Sequence, residues 1–68
     1  MQITAYIERE NKERIVELEE QATVEKLLEK LKINPETVLV VKNEEVLLKE
    51  VKLEDKDTIK ILSVVSGG

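Results

Sequence analysis

Thr23-Val24-Glu25-Lys26-Leu27-Leu28-Glu29-Lys30-Leu31 is the stretch in which the period of the chain changes. Val24, Leu27, Leu28 and Leu31 recur at i, i+3, i+4 and i+7, the spacing of one helical face. Glu25, Lys26, Glu29 and Lys30 fall on the opposite side. Thr23 can cap the N-terminus, and a carboxylate at Glu25 suits the positive end of the helix dipole. The helix must stop near Lys32, because Asn34 precedes Pro35 and is pushed out of the α region. The spacing predicts one helix, from Val24 to Leu31 or Lys32.

On either side the period falls to two. Met1 to Glu8 reads as a strand, with Ile3, Ala5 and Ile7 on one face and Gln2, Thr4 and Tyr6 on the other. Glu8 to Glu13 is a polar turn in which Asn11 best tolerates a left-handed conformation. Arg14 to Glu20 makes a second strand, with Val16 and Leu18 facing inward, so an antiparallel hairpin precedes the helix. After it, the apolar run Val38-Leu39-Val40-Val41 suits a strand covered on both faces or nearly so. Asn43-Glu44-Glu45 turns the chain into a short strand, Val46-Leu47-Leu48. Lys49 to Leu53 is ambiguous. Glu54 to Asp57 is a tight polar turn before the longest strand, Thr58 to Val65, with Ile59 and Ile61 inward and Lys60, Leu62 and Val64 outward. The order is β-β-α-β-β-β, and the lone helix can bury its leucines only on one face of the sheet.

Composition narrows the chemistry. The 68 residues carry a net charge of −4, with 38% charged residues, no cysteine and no histidine. That removes disulfides, thiol nucleophiles, the usual general base near neutral pH and the commonest zinc ligands. The acidic balance argues against nucleic acid or an anionic membrane as partner. No stretch is long enough to span a bilayer and no signal-peptide pattern opens the chain, which predicts a soluble, cytoplasmic protein. The weight of Glu and Lys leans toward a thermophilic source. Neighbouring acids such as Glu19-Glu20 and Glu44-Glu45 read as solvated turn residues, and Ser63 and Ser66 as spacers with no base beside them.

The last strand runs directly into Gly67-Gly68. Glycine loses the most conformational freedom on ordering, so two in succession at a chain end predict a flexible, unobstructed backbone finishing in a bare carboxylate. Ser66 to Gly68 can reach roughly 10 Å, at about 3.3 Å per residue, into a partner's cleft. A domain of residues 1–65 with a tail of residues 66–68 follows. Leu62 and Val64, large and apolar on the outward face, suggest a docking patch.

Thr58-Ile59-Lys60-Ile61-Leu62-Ser63-Val64-Val65-Ser66-Gly67-Gly68 resembles the last strand and diglycine tail of the ThiS/MoaD sulfur-carrier family, within the ubiquitin-like β-grasp fold. The opening Met1-Gln2-Ile3, the segment Thr23-Val24-Glu25-Lys26-Leu27-Leu28 and the acidic turn Asp55-Lys56-Asp57 are similar as well, so the resemblance spans nearly the whole chain. Archaeal ubiquitin-like small modifiers share the size and the ending. The family often has glycine between the two aspartates. Lys56 stands there, which implies a different turn geometry.

The resemblance implies an α+β β-grasp with a mixed sheet of four to five strands and one helix on one face. It implies that the Gly68 carboxylate is adenylated by an enzyme of the ubiquitin-activating type. The adenylate is then converted to a thiocarboxylate for thiazole, molybdopterin or thiolated-tRNA synthesis, or passed to a target lysine. Gly67 and Gly68 would be the activated end, and Leu62, Val64, Val65 and Ser66 the partner-binding residues. Val65-Ser66 carries no charge, unlike ubiquitin, so ubiquitin's own activating machinery is not the expected partner. The chain would hold no cofactor or metal and have no catalytic residue of its own, the ATP being used by the partner. It would be a monomer when free, with a sulfur-accepting synthase or target lysines as its second partner. A β-grasp scaffold domain with an incidental diglycine is the alternative of another class.

Overall fold

The computed structural model describes residues 1–64. Strand β1 (Gln2–Ile7) turns through a short 3-10 segment, Glu8–Glu10, into β2 (Lys12–Glu17). Helix α1 (Val24–Leu31) follows, and a second 3-10 turn, Pro35–Thr37, leads to β3 (Val38–Lys42), β4 (Glu45–Leu47) and β5 (Thr58–Ser63). The sheet order is β2-β1-β5-β3-β4. β5 runs parallel to β1 and antiparallel to β3, and the two hairpins β1–β2 and β3–β4 are antiparallel. This is the mixed five-stranded β-grasp that the helix-after-hairpin order predicts.

The helix has the predicted bounds, with the N-terminal cap anticipated and a C-terminal device that was not. Thr23 Oγ1 accepts from the Lys26 N–H at 3.4 Å. At the far end Lys32 adopts φ 60°, its N–H bonding the Glu29 carbonyl and the Ile33 N–H bonding the Leu28 carbonyl. Those two bonds are the Schellman closure, usually built on glycine. Val24, Leu27 and Leu28 are buried against Ile3, Ala5, Ile7, Val16, Val38, Val40, Leu53, Ile59 and Ile61.

Three local expectations need correction. β2 occupies Lys12–Glu17, earlier than Arg14 to Glu20, because Asn11 at φ 52° ends the turn and lets pairing start at Lys12 opposite Ile7. β3 is covered on one face only: Val38 and Val40 are buried, but Leu39 is 41% exposed. One helix has no counterpart on the other side of the sheet. β5 stops short of the expected Val65, since its regular part leaves Val64 outside. Lys56 adopts φ 68°, the left-handed conformation that glycine favours. The segment Lys49 to Leu53, ambiguous in sequence, crosses the helix N-terminus, where the Val24 and Glu25 amides donate to the Val51 and Lys49 carbonyls. The regular part of β5 ends at Ser63.

The acidic turn ties three strands together. The Gln2 N–H donates to Asp55 Oδ1 at 2.8 Å, the Lys56 N–H to the Gln2 carbonyl at 2.7 Å, and the Thr4 N–H to the Asp57 carbonyl at 2.9 Å. Asp57 Oδ2 accepts from the Glu54 N–H at 2.8 Å, and its Oδ1 pairs with the Lys42 ammonium of β3 at 2.9 Å. The hydrogen bond to Asp57 holds the Lys42 ammonium above the ordinary lysine value of 10.5. The negative charges of Asp57, Glu54 and Glu45 act the same way, and together with that hydrogen bond they outweigh the desolvation opposing them. No helix among the described residues is long and apolar enough to cross a membrane.

Leu28→Ala should cost about 2–5 kcal/mol in denaturant melts, the range for buried leucines that leave a cavity. A loss within about 0.5 kcal/mol would place the residue outside the core. Lys42→Met should destabilise the fold at neutral pH. Because the folded pKa is raised, the native ion pair contributes fully below 10.5 and is lost as pH rises through the higher folded value. The stability gap between wild type and Lys42→Met should therefore close at strongly alkaline pH. A gap that stays constant there would show that the pair adds no pH-dependent stability.

Candidate functional site: the outer face of the sheet

β5 lies between β1 and β3, so its outward side chains sit in the middle of the uncovered face. Ile59 and Ile61 are 0% and 1% exposed beneath the helix. Side chains alternate along a strand, so Thr58, Lys60 and Leu62 point the other way. Leu62 is half-buried and lies opposite Leu39 of β3. Lys60 lies between Tyr6 of β1 and Val41 of β3. Val41 in turn pairs with Val46 of β4, which is 56% exposed. Val64, just past the strand, is 44% exposed, and its N–H donates to the Thr37 carbonyl at 3.0 Å.

The result is an apolar surface of Leu39, Val41, Val46, Leu62 and Val64 with Tyr6 at one side. Leu62 and Val64 were identified from strand phase. Val65, Ser66, Gly67 and Gly68 lie outside the described residues. Leu39, Val41 and Val46 were missed as surface residues, because an apolar run reads as buried until its neighbours are known. The signal that could have found them is the count of helices: with one helix, half of each central strand has no cover. Tyr6 is half-buried and its hydroxyl donates to Asn11 Oδ1 at 2.6 Å, which braces the first hairpin.

Among the described residues no group of three or more His, Cys, Asp or Glu could hold a metal ion. The serines near β5 have no histidine to activate them, since the sequence contains none.

Comparison with known proteins adds a family and a fold. The model of the ThiS family matches residues 2–68. The sulfur carrier protein TtuB of Thermus thermophilus is 42% identical over 53 residues, covering 78% of this chain and 82% of that protein. Among solved structures, a designed protein based on ubiquitin superimposes with a TM-score of 0.77 at 26% identity, covering 98% of this chain and 92% of the design.

Leu62→Glu and Val64→Glu should each leave the monomer folded, with unfolding free energies within about 1 kcal/mol of wild type, as is usual away from a core. Each should weaken association with an adenylating partner about tenfold or more, because a carboxylate would have to be buried there. Collapse of either monomer would place the residue in the core. Unchanged affinity with an intact fold would remove it from the interface.

Proposed function

The chain belongs to the ThiS family, and on that premise we propose that it is a sulfur carrier, a protein substrate whose Gly68 carboxylate is the reacting group. A carboxylate is a poor electrophile, because its leaving group would be oxide. Attack of the carboxylate oxygen on the α-phosphorus of ATP, with loss of pyrophosphate, gives an acyl adenylate whose leaving group is a stabilised phosphate. A sulfur nucleophile then displaces AMP at the acyl carbon to give the thiocarboxylate, which a sulfur-accepting synthase consumes. The partner enzyme supplies the ATP site and the sulfur delivery. The sequence has no Gly-rich phosphate loop, histidine or cysteine with which to supply them.

The observation that carries this reading is the match of the ThiS family model, which runs through the diglycine end at residues 2–68. Gly67-Gly68 follows the central strand of the sheet, and that strand presents Leu62 on the uncovered apolar face. Val64, the last described residue, is held to the Thr37 carbonyl of the turn before β3. The curated relative is itself a sulfur carrier protein. Transfer of the same adenylate to a lysine amine would make the chain a modifier. That reading uses the same tail and the same activation. Isolation from the native host separates the two, by a gain of sulfur for oxygen in the intact mass or by Gly-Gly remnants on other proteins' lysines.

Deleting Gly68, or both glycines, should leave the thermal unfolding transition in place and abolish ATP–pyrophosphate exchange with the cognate adenylating enzyme. Ile61 is the last buried apolar residue among the described residues, and a glycine carries no side chain to bury. A truncated chain that is still adenylated would overturn the terminal-carboxylate mechanism.

A further inference from the structure

Lys60 occupies the centre of the outer face, and its surroundings set it apart from the other lysines. It is exposed, with Tyr6 and Val41 as its lateral neighbours and Thr58 and Leu62 before and after it on its own face. By register it is the only basic residue at the outward-facing positions of the five strands. Lys12, Arg14 and Lys42 fall on the opposite phase, paired with Ile7, Ala5 and the Glu45 position. The ion pairs among the described residues are Arg14–Glu10 and Lys42–Asp57, and Lys60 enters neither. In its own row the nearest acid is Glu13, beyond Tyr6 and two strand spacings away, about 9–10 Å. Glu8, which follows the end of β1, makes no ion pair with it.

A lone ammonium in an apolar patch is stable while water covers it. When a partner covers the patch the ammonium loses that water. Burying a charge without a counter-ion is costly, and with a matched one the same charge fixes register and rejects wrong partners. We propose that Lys60 is a partner-selecting residue. The protein surface that docks on this face carries a carboxylate, set among apolar side chains, that meets the Lys60 ammonium. This rests on the proposed activation by an adenylating enzyme, and it adds the chemistry by which that enzyme tells this carrier from others. Lys60 touches no reacting atom. It acts on which enzyme binds and in what register, so its effect belongs in KM and in salt dependence.

The test is ATP–pyrophosphate exchange by the cognate adenylating enzyme, with the full-length carrier varied as substrate at several salt concentrations. Wild type should show kcat/KM falling as salt rises, as a screened attraction does. Lys60→Met keeps the length and loses the charge. It should raise KM about fivefold to tenfold, leave kcat within about twofold and flatten the salt dependence. Lys60→Glu should raise KM at least about thirtyfold, since like charges then face each other. Exchanging a single interfacial Asp or Glu of the enzyme for Lys should restore activity with Lys60→Glu alone. Both variants should melt with wild type, because the side chain is solvent-exposed. A Lys60→Glu carrier with wild-type KM and salt dependence would overturn the proposal while leaving activation at Gly68 intact. Failure of the wild-type carrier to support exchange at all would instead overturn the activation reading on which it rests.

Discussion

The structure depends on a single asymmetry: one helix must bury its leucines, and one face of the sheet is all it can cover. Leu27 and Leu28 reach Ile59 and Ile61 of β5 and Ile3 and Ala5 of β1, the two parallel strands at the centre of the sheet. That contact fixes the phase of β5. Once Ile59 and Ile61 are inward, Lys60 and Leu62 are committed to solvent or to a partner. A shift of one residue would exchange the two sets and put an ammonium under the helix, which is why the register is strongly held. The exposed apolar face is thus a consequence of the core.

The acidic turn makes the same phase independent of the helix. Asp55, Lys56 and Asp57 bind the backbone at the start of β1, and Asp57 reaches Lys42 on β3, so β5 enters the sheet already aligned with both neighbours. These bonds lie at the beginning of β5. At the other end the Val64 N–H bond to Thr37 is the last one described. β5 is thus held at both of its ends. The Lys56 backbone at φ 68° is the local cost, since a side chain in the left-handed region costs roughly 1–2 kcal/mol relative to the right-handed one. Among the described residues six non-glycine residues have positive φ, and all six lie in turns or at a helix end. In a chain whose two glycines are both at the tail, Asn, Gln, Lys and Glu must close those turns themselves.

The parts legible in the sequence are those that local chemistry decides. Thr23 and Pro35 bracket the helix, Asn11 marks the first turn, and the alternation of Ile3, Ala5 and Ile7 gives the buried side of β1. The Schellman end at Lys32 and the left-handed Lys56 were not legible, because nothing in a lysine announces positive φ. The outer face was half legible. Leu62 and Val64 follow from the phase of their own strand, whereas Leu39 and Val46 join them only through pairings between distant strands. Periodicity says which residues share a side. It does not say which strands become neighbours, and here the decisive neighbour, β1 beside β5, lies more than fifty residues away.

That long-range pairing also fixes what the uncovered face presents. An exposed face keeps a constant pattern only if the strands beneath it are held rigidly. The β1–β5 pairing supplies the rigidity: β5 is hydrogen-bonded on both sides, and its neighbours are each held by a hairpin. Lateral order around Lys60 is therefore set by backbone bonds to Tyr6 and Val41, not by side-chain contacts that could relax. The face therefore presents a fixed pattern of apolar side chains around one cation. Because β5 is also the strand that buries Ile59 and Ile61, the pairing that holds the core fixes the outward order of Lys60 and Leu62 as well.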